Sequence, residues 1–261
     1  MLSIVLPAYN EAAGLGELLE RIGRALGSSA AYRVVVVDDG STDGTGTVAE
    51  AASSRLPVVV IRHTANRGYG SAMRTGLSAA AAMGDFVFTM DADDSHDPSL
   101  IPVMLEELRS GYDVVIASRF QTTGRQIGVP WHRRALSRAA GSVFRFFHPM
   151  NGVRDYTSGY RGYSSHLIRE LIEAYGEDRF IEEEGFATGL ELLLKARAVG
   201  ARASEVPLVL RYDRKQSASK MKIAATTRRA LSVLVRQSLG ASARRPPIPS
   251  AREHRSAVSS P

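Results

Sequence analysis

Short apolar runs alternate with amphipathic helical patterns along the first half of this chain of 261 residues. The runs are rich in valine, isoleucine and phenylalanine, as expected for buried strands. The predicted strands are residues 3–7, 32–37, 58–62, 85–90 and 113–118, and the predicted helices between them are 11–26, 44–53, 69–83 and 98–110. Such alternation is typical of βαβ units. We therefore predict an α/β fold with a mostly parallel central sheet and helices on both faces.

The second half of the sequence is less regular and mixes helical patterns with turns. Its predicted elements are helices at 130–150, 166–174, 185–199 and 220–239, a strand at 203–212 and a turn-rich segment at 155–164. No linker interrupts this pattern, so we predict a single domain over residues 1–240. Residues 241–261 are aperiodic and rich in Pro, Ser and Ala, which predicts a disordered basic tail.

The composition excludes several kinds of protein and of site. The lack of cysteine excludes disulfides and thiolate metal sites and agrees with a reducing cytoplasm. No apolar run reaches the length of about 18 residues expected of a membrane span, and the first residues do not resemble a signal peptide. The net charge is +6, and residues 241–261 carry four arginines against one glutamate. The remaining excess is too small to predict a nucleic-acid partner.

The most acidic stretch of the chain follows the predicted strand 85–90. It places Asp91, Asp93 and Asp94 within four residues, at the carboxyl end of a strand, where ligands bind in open α/β sheets. Carboxylates this close repel one another unless a cation lies between them, and hard oxygen ligands suit Mg²⁺ or Mn²⁺. The alternative is an acidic turn that caps the next helix, which begins at Asp97 and Pro98.

Two more predicted strands end in acidic side chains. Glu11 follows the first strand, and Asp38 and Asp39 follow the second. Such acceptors can bind ribose hydroxyls and base N–H groups, although turn and helix-cap chemistry also favours Asp, Ser and Thr here. Glycines near 66–71 could approach a phosphate or could serve tight packing. The phosphate-binding P-loop and dinucleotide fingerprints are absent.

Taken together, these motifs resemble the family 2 glycosyltransferases, which have the GT-A fold. The resemblance rests on residues 6–11, 38–45, 66–70 and 91–98, and continues through Ser118-Arg119, Trp131, Arg133, Ser137-Arg138, residues 155–161, Gly185-Phe186 with Glu191, residues 205–207, Arg214 and residues 219–221. The fuller pattern is similar to the polyprenol-phosphate hexosyltransferases, the group that includes the dolichol-phosphate mannose synthases. It covers roughly residues 1–240.

The resemblance implies an enzyme that transfers a hexose with inversion, most of all mannose from GDP-mannose, to a polyprenyl phosphate. Alternatives are a UDP-sugar donor such as UDP-glucose, or a hydroxyl acceptor that is not a lipid. An enzyme of another class, a sugar-nucleotidyltransferase, would usually carry a Gly-rich basic signature near the first strand, and residues 6–11 lack one.

The resemblance also implies roles for individual residues. The catalytic residues would be Asp93, Arg119 and Lys220, and Asp91 with Asp93 would hold Mg²⁺ or Mn²⁺. The nucleotide-sugar would contact Pro7, Tyr9, Glu11, Asp38, Asp39, Asp91, Ala92, Asp93, Arg119, Arg214 and Lys220. Arg133 and Ser137 would meet the acceptor phosphate, since guanidinium groups suit phosphate.

Three departures and one open question accompany this pattern. Trp131 sits two residues closer to Ser137 than in the pattern, which would alter the acceptor groove. Asp94 stands where close relatives usually carry Leu or Gln, and would add a charge near the metal. Ser217 replaces a usual glycine, which affects the loop before Lys220. An alcohol acceptor would need a general base, for which Asp155 and Glu191 are the candidates, whereas a phosphate acceptor is already anionic and needs none.

Two segments bear on membrane attachment. Residues 143–150 crowd aromatic side chains around an arginine, and residues 220–239 interleave basic and apolar residues. Both patterns suit an interfacial segment on anionic lipid, and both equally suit amphipathic helices packed on a core. We expect a cytoplasmic protein attached peripherally, through the membrane surface or through a small membrane-anchoring subunit.

Overall fold

A computed structural model describes residues 1–27, 30–185, 187–214 and 223–240 of the chain. The strands are β1 Leu2–Ala8, β2 Tyr32–Asp38, β3 Val58–Arg62, β4 Phe86–Thr89, β5 Val114–Ser118, β6 Arg125–Ile127, β7 Arg161–Ser164, β8 Ala203–Pro207 and β9 Val209–Arg211. The helices are α1 Ala12–Leu26, α2 Thr45–Ala52, α3 Tyr69–Met83, α4 Ile101–Arg109, α5 Trp131–Phe147, α6 Ser165–Tyr175, α7 Thr188–Ala198 and α8 Ile223–Gly240. Short 3-10 helices span Pro98–Leu100 and Tyr212–Arg214.

The central sheet of the described residues has seven strands in the order β3-β2-β1-β4-β7-β5-β8. Strand β1 pairs in parallel with both β2 and β4, whereas β7 runs antiparallel between β4 and β5. The carboxyl ends of β1, β2, β4 and β5 therefore meet at one edge, together with the amino end of β7. The strand order reverses at β1, which is where α/β sheets open a ligand crevice.

Two apolar layers cover the faces of the sheet, and alternate residues of each strand supply them. From β1, Ile4 and Leu6 pack into the layer that includes α1 and α4, while Val5 packs into the layer formed with α3, α6 and α7. Burial on both faces explains why the strands are continuous apolar runs. The structure confirms the predicted α/β class, the mostly parallel sheet and the single mixed domain.

The structure differs from the predicted elements mainly in the second half. The predicted strand 203–212 divides at Leu208 into β8 and β9, and β9 joins β6 in a separate two-stranded parallel sheet. The turn-rich segment 155–164 contains β7, a central strand of the main sheet. Neither β6 nor β7 has an apolar pattern that would predict a strand from its own sequence. Pairing with neighbouring strands places both of them. Residues 220–222 of the last predicted helix and the predicted tail, 241–261, lie outside the described residues.

Candidate active site

A cavity of about 920 Å³ opens at the carboxyl edge of the central sheet. It brings together ten of the residues that the sequence singles out. They are Pro7, Tyr9, Glu11, Asp39, Asp91, Ala92, Asp93, Arg119, Arg133 and Ser137. Arg214 ends the 3-10 helix that begins at Tyr212, a residue of the cavity wall. Lys220 and Ser217 lie outside the described residues.

Asp38 and Asp39 are neighbours in sequence, but only Asp39 lines the cavity. Asp38 is not part of the cavity lining: its Oδ1 accepts a hydrogen bond from the backbone N–H of Ser41 at 3.0 Å, and its Oδ2 lies 4.0 Å from Nε of Arg62. These contacts are those of a turn residue. Its predicted contact with the nucleotide-sugar stays a prediction.

Asp39 lines the cavity and also fastens the loop that leads into α3. It accepts hydrogen bonds from the backbone N–H groups of Arg67 and Gly68, at 3.0 and 2.9 Å. Its Oδ1 lies 2.7 Å from Nδ1 of His63. At Gly70, in the first turn of α3, a side chain would overlap the carbonyl oxygen of Glu183. Tight packing therefore accounts for that glycine.

The carboxylates of the acidic loop after β4 lie in two kinds of environment, a helix cap and the cavity wall. Asp97 caps the 3-10 helix by accepting a hydrogen bond from the backbone N–H of Ser99 at 3.1 Å. Asp91 and Asp93 line the cavity instead. The helix-cap interpretation thus holds for Asp97, and the ligand-site interpretation of Asp91 and Asp93 stays a prediction. His96 supports the loop, because its Nδ1 accepts the backbone N–H of Asp91 at 3.2 Å.

Tyr69 is a contact of Asp91 that the sequence did not suggest. Its hydroxyl donates to Oδ1 of Asp91 at 3.4 Å. Burial, and then the charge of Asp91, raise the pKa of Tyr69 well above its ordinary value. The hydroxyl therefore stays protonated and remains a donor.

Asp94 does not add an uncompensated charge to the cavity. It forms an ion pair with Arg21 of α1 and is not part of the cavity lining. Arg21 also lies 3.3 Å from a carboxylate oxygen of Asp97. The sequence predicted that Asp94 adds a charge near the metal, but Arg21, 73 residues away in sequence, pairs with that charge.

Arg119 is held at the cavity by a two-point ion pair with Asp155. Its Nε and Nη2 lie 2.8 and 2.7 Å from the two carboxylate oxygens, and its backbone N–H donates to Asp155 as well. Asp155 is fully buried, which alone would raise its pKa, but the charge and hydrogen bonds of Arg119 hold that pKa below its ordinary range. Asp155 is therefore ionised, with both oxygens occupied, and positions Arg119.

Thr157 links this ion pair to helix α5. Its Oγ1 accepts a hydrogen bond from Nη2 of Arg119 at 2.6 Å and lies 2.8 Å from Oγ of Ser137. One turn before Ser137 on α5, Arg133 donates to the hydroxyl of Tyr212 at 2.8 Å. The two predicted acceptor residues therefore share one side of α5 and face the same end of the cavity as Arg119.

Glu191, the second candidate for a general base, lies away from the cavity. It is buried, accepts the backbone N–H groups of Glu182 and Glu183, and forms an ion pair with Lys195 at 2.8 Å. Its role is to hold the 182–183 segment. Glu184 follows that segment and lines the cavity, although the sequence interpretation passed over it. The run of three glutamates at 182–184, just before a glycine, is the sequence feature that could have indicated a cavity residue here.

The far end of the cavity is apolar and bounded by helices. Its walls include Met73, Phe144, Leu190, Ala230 and Leu231. On the outer sides of the same helices, side chains such as Phe146 and Trp131 of α5 are 80% and 79% exposed.

Helix α8 is joined to the segment 182–184 by ion pairs of Arg229 and Arg236 with Glu183, at 3.1 and 3.5 Å. None of the helices in the described part of the chain has the length and hydropathy required to span a membrane.

Comparison with curated proteins gives similar sequences over most of the chain. The chain is 35% identical over 221 residues to the dolichol-phosphate mannosyltransferase of Pyrococcus furiosus, covering 84% of this chain but 59% of that protein. It is 32% identical to the polyprenol monophosphomannose synthase of Mycolicibacterium smegmatis, covering 84% and 80% of the two chains. The chain thus spans little more than half the length of the first of these relatives.

Among solved structures, glucosyl-3-phosphoglycerate synthase from Mycobacterium tuberculosis superposes with a TM-score of 0.68 at 22% identity. The match covers 91% of this chain and 78% of that one, and shows the shared fold. That enzyme was crystallised with Mn²⁺ and UDP, and in another crystal with Mg²⁺ and UDP. The profile of the family named Glycosyl transferase family 2 matches residues 3–172, so the chain belongs to this family and has its GT-A fold, as the sequence predicted.

Proposed function

We propose that this glycosyltransferase transfers a hexose, mannose from GDP-mannose, to a polyprenyl phosphate with inversion. The observation that carries the proposal is a single cavity whose polar end holds Asp91, Asp93 and Arg119 and whose other end is apolar. A nucleotide-sugar matches the first end and an isoprenoid chain matches the second. The names of the relatives support a lipid-phosphate acceptor, since they act on dolichol, polyprenol or undecaprenyl phosphates.

The residues at the polar end fit a divalent cation shared with a diphosphate. Asp91 and Asp93 offer hard oxygen ligands, which suit Mg²⁺ or Mn²⁺. Within the described residues, no three Asp, Glu or His side chains are arranged to hold a metal ion. The remaining ligands would therefore be diphosphate oxygens and water, as is usual for Mg²⁺. When bound, the ion would stabilise the negative charge that develops on the leaving diphosphate.

The cations around the cavity would receive the phosphate groups. Arg119 uses Nε and Nη2 for Asp155 and Thr157, and its Nη1 makes no hydrogen bond to the described residues. That nitrogen can donate to a phosphate oxygen without breaking the ion pair. Arg133 and Ser137 lie on the acceptor side, and Arg214 and Lys220 complete the proposed set. Fixed donors of this kind stabilise charge without having to reorganise.

A phosphate acceptor also agrees with the state of the two candidate bases. Asp155 is paired and has a lowered pKa, and Glu191 is buried away from the cavity. A phosphomonoester is anionic at neutral pH, so its oxygen can attack the sugar carbon without losing a proton to the enzyme. The arrangement thus serves a nucleophile that is already charged.

The exposed apolar side chains of α5 and α8 would place the open, apolar end of the cavity against a membrane. Phe146 and Phe147 of α5 and Leu231 and Val235 of α8 are exposed. A lipid surface would cover them while the acceptor enters the cavity. The protein would then attach peripherally on the cytoplasmic face, or a small membrane-anchoring subunit would cover the same helices.

A donor and acceptor panel tests the proposal. GDP-mannose, UDP-glucose and UDP-galactose are each offered with polyprenyl phosphate or with the corresponding polyprenol, in Mg²⁺, Mn²⁺ or excess EDTA. We expect product from GDP-mannose and polyprenyl phosphate only, and none in EDTA. Transfer from a UDP-sugar would replace the donor assignment. Transfer to the free alcohol would contradict the mechanism without a base.

A further inference from the structure

Arg21 of α1 is a largely buried cation that lies outside the cavity and has no part in the reaction as proposed. Its side chain is 16% exposed. It forms an ion pair and hydrogen bond with Oδ1 of Asp94, whose side chain is 9% exposed, and a second ion pair with Oδ1 of Asp97 at 3.3 Å. Both acids belong to the loop that carries Asp91 and Asp93. Arg21 therefore joins helix α1 to the acidic loop at two points.

The backbone of this loop adopts an uncommon conformation at Asp94. Its φ is +60°, in the left-handed region that residues other than glycine seldom occupy. The neighbouring Asp93 is bound to the same turn, because its Oδ1 accepts the backbone N–H of Ser95 at 3.1 Å. Whatever fixes Asp94 therefore also fixes the backbone that presents Asp93. The ion pair with Arg21 supplies such a constraint from outside the loop.

Charge gives a second reason for the contact. The loop carries four carboxylates in seven residues, from Asp91 to Asp97. Asp91 and Asp93 line the cavity, whereas Asp94 and Asp97 are paired with Arg21. Arg21 therefore pairs with the two carboxylates of the loop that do not line the cavity, and loss of one partner of a buried ion pair is strongly destabilising.

We propose that Arg21 is a positioning residue of the donor site. By holding Asp94 and Asp97 against α1, it leaves Asp91 and Asp93 as the two carboxylates of the loop that face the metal and diphosphate. The inference rests on the proposed donor site. It assigns a role in diphosphate binding to a helix that does not touch the cavity at this residue.

The test uses Arg21→Met, Asp94→Asn, the double variant and Arg24→Met as a matched control, since Arg24 is exposed on the same helix. Binding of GDP and of UDP is measured by calorimetry with and without Mn²⁺, and thermal unfolding is measured without metal. We expect Arg21→Met to weaken the Mn²⁺-dependent binding at least fivefold. Arg24→Met should stay within twofold of the wild type, whereas Asp94→Asn should weaken this binding as Arg21→Met does, because each removes the same ion pair. The double variant should bind about as weakly as either single variant, because the contact can be lost only once.

Equal binding by Arg21→Met and the wild type would overturn the inference, and so would a loss in the double variant equal to the product of the two single losses, which would show that Arg21 and Asp94 act independently. A change in melting temperature without a change in binding would show a structural role only, which also overturns it. If Arg21→Met does not fold, Asp94→Asn decides: the inference requires it to fold and to weaken the Mn²⁺-dependent binding. Failure of the wild type to bind either diphosphate with Mn²⁺ would reject the donor site itself, which is a separate result.

Discussion

The two ends of the cavity are built in different ways. At the polar end, Asp39, Asp155 and Arg119 are each held by several hydrogen bonds to the backbone or to one another. At the apolar end, helices α5 and α8 form the wall, and their outer sides leave Phe146 and Val235 exposed. Charged ligands require donors fixed in advance, whereas an isoprenoid chain requires apolar area of tolerant shape. The difference suggests that substitutions at the polar end affect chemistry and those at the apolar end affect attachment.

The largest effect is expected from Asp93→Ala at the polar end. Removal of one of the two carboxylates proposed to face the diphosphate should lower transfer by about a thousandfold, while the fold stays intact because the residue belongs to a loop. Initial rates and circular dichroism measure the two properties. Asp178→Ala, at an exposed loop position, is the control. Full activity of Asp93→Ala, or of the wild type in excess EDTA, would refute the metal assignment.

Asp155→Asn should lower the free energy of unfolding by more than it lowers the stabilisation of the transition state. Breaking a buried ion pair costs about 3–5 kcal/mol, and Asp155 is fully buried against Arg119. Because the folded-state pKa of Asp155 is lowered, its contribution to stability is complete above its unfolded pKa of about 4 and is lost as pH falls through the folded value. The stability difference between the wild type and Asp155→Asn should therefore shrink below about pH 4. Denaturant unfolding from pH 3 to 7 measures it, and a difference that grows in acid would contradict the pairing.

Lys220→Ala tests the proposal that Lys220 acts together with the cations of the polar end. Loss of one electrostatic donor should cost about 2–4 kcal/mol of transition-state stabilisation, or roughly 30- to 1,000-fold in kcat/KM. The control is Lys222→Ala, two residues along the same segment. Glu191→Gln should lower activity less than Lys220→Ala, because Glu191 lies outside the cavity. If Glu191→Gln were folded and as inactive as Asp93→Ala, an alcohol acceptor with a general base would be the better account.

The smallest effects are expected at the apolar end, where attachment is shared among many side chains. Arg228 is the basic residue to change, because Arg229 is paired with Glu183 and its loss would also detach α8. Arg228→Glu should weaken binding to anionic liposomes by about 1 kcal/mol, or fivefold, and high salt should weaken it further. Phe146→Ser should reduce binding to both anionic and neutral liposomes, with Val103→Ser on α4 as the exposed control. If the protein sediments with neither kind of liposome in low salt, direct attachment to the membrane is wrong. A partner subunit or a soluble acceptor would then be the remaining explanation.

Most of the polar end could be predicted from the sequence, because it lies at strand ends. The runs that became β1, β2 and β4 are apolar on both faces, and parallel strands place their carboxyl ends at one edge. Glu11, Asp39, Asp91 and Asp93 therefore had to lie close together. The sequence did not distinguish Asp38 from Asp39, since the turn after β2 decides which of the two carboxylates reaches the cavity.

The contacts of the second half were harder to predict. Strand β7, Arg161–Ser164, has no apolar alternation and is placed by β4 and β5 on either side of it. The sequence made Asp155 and Glu191 candidates for a general base. In the structure Asp155 forms an ion pair with Arg119, and Glu191 forms one with Lys195. A carboxylate's role depends on its partner and its burial, and residue spacing gives neither.

The sequence by itself determined the α/β class, the edge of the sheet at which the cavity opens and the kinds of side chain that line it. Periodicity and turn chemistry are local properties, and they were sufficient for those conclusions. Only the tertiary structure decided which charges are paired. Arg21 reaches Asp94 across 73 residues, and Arg119 reaches Asp155 across 36. Such pairs form because folding buries charges that water no longer screens, so each must find a partner that the packing of distant elements brings to it.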